Sequence, residues 1–133
     1  MRTVNNPNDF TQLLQCDGAI LFIYVDWSAY AREGLQIVEE AEMSLNDGHP
    51  AGKPTFWLAD VSDAGSPGYF IGEWLKQQND RGIRMFPLIA LGNGSMVWIK
   101  NGEVVDFAMS ALHLTPQPII WKTEAPFGSR DQA

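Results

Sequence analysis

The chain has 133 residues, a length at which a single domain buries about two thirds of the surface its unfolded chain exposes and needs no disulfide scaffold. Nine Lys and Arg against sixteen Asp and Glu leave a net charge of −7, which argues against sequence-neutral binding to nucleic-acid phosphates or to anionic lipid. An apolar fraction of 45% with five Trp and seven Phe describes a folded core, and Cys16, the single cysteine, excludes a disulfide within the chain.

Asn8 or Asp9 is suited to cap a short helix through Gln15, because Phe10, Leu13 and Leu14 fall on one face. Asp17-Gly18 breaks it. Ala19 to Val25 is a continuous apolar, β-rich run, the pattern of a central strand covered on both sides. It is far shorter than the roughly 20 residues a membrane-spanning helix requires. Met1 to Pro7 carries no apolar signal segment, so a cytoplasmic location is the default expectation, although a processed chain would read the same.

Leu35, Val38, Ala41 and Leu45 recur at helical spacing with Glu33, Glu39, Glu40 and Glu42 mostly on the opposite side, which predicts an amphipathic helix from Ala31 to Asn46. The Gly- and Pro-rich residues 48–54 read as a surface loop. Thr55 to Val61 is a second strand, and Ser66-Pro67 reads as an N-cap and first position of a helix running to Asn79, with Phe70, Ile71, Trp74 and Leu75 as its packing stripe. Two Asn-Gly pairs, Asn93-Gly94 and Asn101-Gly102, then separate the strands Leu88 to Leu91, Met96 to Lys100 and Val104 to Phe107, since Asn-Gly accepts the positive φ of a tight hairpin. Thr115-Pro116 opens a last short helix that Pro126 stops. Alternating β and α followed by a meander implies an α/β domain over residues 1–126, one mixed sheet with helices on both faces, followed by a polar tail, 127–133.

From about Asn8 to Ala125 these residues resemble the thioredoxin family. Asp17-Gly18-Ala19-Ile20-Leu21 followed by five residues and Trp27 is similar to the family's central strand and active-site Trp, and Gly82-Ile83-Arg84-Met85-Phe86-Pro87 to the segment ending in its cis-proline. The resemblance implies a thioredoxin-like fold, a cis Phe86-Pro87 bond, and a shallow groove for an extended peptide lined by Trp27, Ser28, Tyr30, Phe86 and Pro87. The departures bear on function. Where a thioredoxin carries Cys-Gly-Pro-Cys, this chain has Ser28-Ala29-Tyr30-Ala31, and the family's buried acid falls on Phe22. Thiol exchange needs an attacking thiolate and a second thiol to resolve the mixed disulfide, so disulfide oxidoreductase activity is not expected. Cys16 precedes the central strand whereas Ser28 follows it, which puts the lone thiol at the wrong end of the sheet and suits it to packing.

The expected function is therefore a non-redox binding or adaptor module with a protein or peptide partner, no nucleic acid and no membrane; self-association stays open. A glutathione- or other thiol-binding enzyme using Ser28 or Tyr30 is one alternative, because glutathione transferases use such a hydroxyl near this place, and a structural subunit is another. The chain has no room for the helical second domain of those transferases, and Ser28 equally suits a helix cap. His49 and His113 are isolated, and no phosphate-binding loop is present, so neither metal nor cofactor is expected. Trp57, Trp74, Trp98 and Trp121 read as packing residues and Glu39, Glu40 and Glu42 as a solvated helix face.

Overall fold

The computed structural model describes residues 1–48, 54–80, 94–108, 111 and 116–127. Strand β1 (Arg2–Thr3) leads into helix α1 (Pro7–Gln15). The helix begins two to three residues earlier than expected, because Asn6, not Asn8 or Asp9, is its cap: the Asn6 side chain accepts the Asp9 N–H at 2.8 Å, Pro7 takes the first helical position, and the Asp9 carboxylate accepts the Asn5 N–H in return. Strand β2 (Gly18–Tyr24), helix α2 (Ala29–Gly48) and strand β3 (Thr55–Asp60) form a β-α-β unit with β2 and β3 parallel, Ala19 opposite Thr55 and Tyr24 opposite Asp60. Helix α3 (Ile71–Asp80), strands β4 (Met96–Lys100) and β5 (Glu103–Ala108) and helix α4 (Pro116–Phe127) complete the described elements.

The five strands lie in one mixed sheet ordered β1-β3-β2-β4-β5, with β2 antiparallel to β4 and β4 antiparallel to β5. Period-2 alternation along β2 sends Ala19, Leu21 and Ile23 to one face and Ile20 and Phe22 to the other. The first face packs on α1 through Phe10 and Leu13 and on α3 through Ile71 and Leu75; the second packs on α2 through Val38, Ala41 and Leu45 and on α4 through Ile119 and Ile120. A central strand buried on both faces is why residues 19–25 read as an unbroken apolar run. Asn101 and Gly102 connect β4 to β5 with φ of 52° and 81°, the positive pair of a type I′ turn.

Three further expectations need correction. No strand was expected before α1, yet β1 pairs parallel with β3, and Val4 follows it into the core with its N–H on the Leu58 carbonyl at 2.9 Å; two residues carry no readable period. The helix expected from Pro67 starts only at Ile71. Gly68 donates its N–H to the Asp60 carbonyl at 3.0 Å instead of to a helical partner, and a Cβ there would lie 2.9 Å from the Asp60 nitrogen, so residues 63–70 follow the end of β3 as a chain of turns. Pro126 does not stop α4, which runs one residue further, to Phe127. The expected strand Leu88 to Leu91, the Phe86-Pro87 bond, His49, His113 and residues 128–133 of the tail lie outside the described residues.

Candidate functional site

Parallel β2 and β3 end side by side, and the Val61 N–H adds one more rung to the Tyr24 carbonyl at 2.9 Å. The loops that follow, Val25 to Ser28 and Val61 to Phe70, therefore leave the same edge of the sheet together. Trp27 sits in the first of them with 59% of its surface exposed, and its Nε1–H donates to the Ser62 carbonyl of the second at 2.9 Å. The Asp26 N–H donates to Ser62 Oγ at 2.8 Å, and Arg32 Nη1 donates to the Asp26 carbonyl at 2.7 Å.

Ser28 is buried, at 7% exposure, and takes the N-cap position of α2: its Oγ accepts the Ala31 N–H at 3.4 Å and its carbonyl accepts the Arg32 N–H at 3.0 Å. Ala31 is fully buried and packs into the α1/α3 face of the core, while Ala29 and Tyr30 point to solvent, Tyr30 with 53% exposure. An exposed aromatic therefore flanks the buried cap on either side in sequence, Trp27 in the loop and Tyr30 in the first turn of α2. Gly94, just before β4, has φ of +69° and backs onto this turn; a Cβ there would sit 3.1 Å from Ala31 Cα and from the Tyr30 carbonyl oxygen.

The structure thus brings Trp27, Ser28, Ala29, Tyr30 and Ala31 together at one end of the sheet. Phe86 and Pro87 lie outside the described residues. Cys16 is elsewhere: it caps the C-terminus of α1, its Sγ donates to the Gln12 carbonyl at 3.3 Å, and it accepts the Thr55 hydroxyl at 3.7 Å. Thr55 opens β3 and Asp60 closes it, so the thiol and the Trp27 loop are separated by a strand's length, roughly 20 Å at about 3.3 Å per residue. Phe22 is fully buried among apolar side chains on the α2/α4 face. Among the described residues no three His, Cys, Asp or Glu side chains are arranged to hold a metal ion, and no helix is long and apolar enough to cross a membrane.

Ser62, Asp60 and Gly94 belong to this site and were not singled out from the sequence. Asp60-Val61-Ser62-Asp63 looks like any polar turn after a strand, and Asn93-Gly94 reads in sequence as a hairpin pair. A mostly apolar cleft of about 270 Å³ is lined by Val61, Tyr69, Phe70, Gly72, Glu73, Leu75 and Lys76.

No family profile and no curated protein matches the sequence. Solved structures do. The oxidised thioredoxin of Plasmodium falciparum superimposes with a TM-score of 0.59 at 15% identity, covering 92% of this chain and 96% of its own. Fasciola hepatica thioredoxin gives 0.59 at 15% identity, covering 92% of this chain and 99% of its own. The zinc-bound form of human ERp44 gives 0.61 at 16% identity over 91% of this chain and 30% of that one. The chain has a thioredoxin-like fold with one cysteine and no CxxC pair.

Proposed function

We propose that this thioredoxin-like domain is a non-redox binding module that holds an extended segment of a protein partner against Trp27, Ser28 and Tyr30, beside Phe86 and Pro87. The observation that carries the reading is the exposure of Trp27 and Tyr30 on either side of a Ser28 that is buried and used as a helix cap. An extended peptide needs an aromatic platform and main-chain pairing, and neither depends on a thiol. The loss of both redox cysteines and an apolar Phe22 in the place of the family's acid support a platform kept without its chemistry.

The test is to isolate a partner from the protein's own cell extract, purify it, and measure its affinity for wild type and Trp27→Ala. A side chain this exposed contributes little to the core, so circular dichroism should report a folded variant, and affinity should fall at least about tenfold, as for an interface anchor. Equal affinity for wild type, Trp27→Ala and a bulky Ser28→Phe variant would sink the reading. The rival, a thiol-binding enzyme using Ser28 or Tyr30, requires saturable glutathione binding in a calorimetric titration; the peptide module requires none.

A further inference from the structure

A tryptophan indole on an open loop samples several rotamers, and fixing it on binding costs conformational entropy. Trp27 is exposed but not loose. Every polar group of Ser62 is engaged around it: the N–H donates to Asp60 Oδ1 at 2.9 Å, the hydroxyl bonds the same oxygen at 2.5 Å, Oγ accepts the Asp26 N–H at 2.8 Å, and the carbonyl accepts Trp27 Nε1–H at 2.9 Å. The direction of the hydroxyl bond follows from its partners. An amide N–H only donates and an ionised carboxylate only accepts, so the Ser62 proton points to Asp60. That bond is short and charge-assisted. Arg32, from the first turn of α2, holds the Asp26 carbonyl from the other side.

We propose that Asp60 and Ser62 are positioning residues of the Trp27 surface, locking the Asp26-Trp27 loop to the end of β3 so that the indole is presented in one orientation before a partner arrives. The inference rests on the reading that Trp27 meets the partner, and it deepens that reading by naming what sets the geometry. Asp60 anchors Ser62 through two bonds to one oxygen. Ser62 then passes that anchorage to the Asp26 peptide through its side chain and to the indole through its backbone.

The experiment follows the Trp27 indole N–H by ¹⁵N NMR, assigned by its absence in Trp27→Phe, reading its heteronuclear NOE and its exchange with water. The Trp98 indole, fully buried and bonded to Thr123, is the internal reference. Ser62→Ala and Asp60→Ala should raise Trp27 indole exchange about tenfold, the equivalent of one net hydrogen bond, and lower its NOE while Trp98 is unchanged; Ser62→Thr, which keeps the hydroxyl, should restore wild-type values. If an alanine variant does not fold, Asp60→Asn keeps the shape, weakens the charge-assisted bond and should shift the same signal in the same direction. A Trp27 signal that stays at its wild-type value, or one that moves only together with Trp98, overturns the proposal. The readout needs no partner, so its failure is distinct from failure of the peptide reading, which affinity with Trp27→Ala decides.

Discussion

At the scale of single residues, one buried indole and one buried hydroxyl satisfy each other. Trp98 on β4 is fully buried, and its indole donates to Thr123 Oγ1 on α4 at 2.9 Å; Thr123 in turn donates to the Ile119 carbonyl at 2.8 Å. The hydroxyl thus serves as acceptor and donor at once, and Lys122 lies over the same indole at 5.5 Å from its centroid. Thr123→Val keeps the shape but leaves a buried indole N–H without an acceptor, which costs about 1–3 kcal/mol. Urea unfolding should show a lower midpoint with an unchanged slope; a midpoint equal to wild type would mean that the indole had found another partner.

At the scale of elements, glycines decide where strand and helix ends meet. Gly94 brings the start of β4 against the first turn of α2, and both its φ of +69° and the 3.1 Å approach to Ala31 Cα exclude a Cβ unless backbone moves. Gly94→Ala should therefore destabilise by about 1–3 kcal/mol, the cost of a strained left-handed residue. Gly72, in the first turn of α3, has nothing within 4 Å of an added Cβ. Gly72→Ala should raise stability by about 0.5 kcal/mol through lower unfolded-state entropy and better helix propensity. The two variants carry the same chemical change, and thermal unfolding should move in opposite directions. Movement in the same direction would show that propensity, not the approach of Gly94 to α2, governs both.

At the scale of the whole molecule, the fold separates the only thiol from the end of the sheet where a thioredoxin works. Cys16 lies beside the start of β3 and Trp27 beside its end, and no CxxC pair is present in the chain. No second thiol exists to resolve a mixed disulfide, so insulin reduction with dithiothreitol as donor should run at the background rate. A rate well above background that disappears in Cys16→Ala would overturn this. The Trp27 end is shaped instead by Ser62 and Gly94, which act through backbone and hydroxyl groups rather than through thiols.

The amino-acid order by itself determined the layers of this protein. A β2 buried on both faces, helical stripes on α1 and α2, and Asn101-Gly102 between two short strands are local patterns that hydrophobic burial and turn sterics dictate wherever the chain goes. It also singles out Trp27 and Ser28 as candidates, through their distance from the central strand and through the absence of a CxxC pair. Only the tertiary structure decided how that place is held. The Asp60-Ser62-Trp27 chain of bonds joins residues 35 positions apart in sequence, and it exists because β2 and β3 happen to end side by side. β1 has two residues and no period, and finds its place by pairing with β3. The late start of α3 follows from Gly68 lying against the Asp60 backbone. Local composition carries no record of such approaches, since their free energy appears only when distant segments are already packed together.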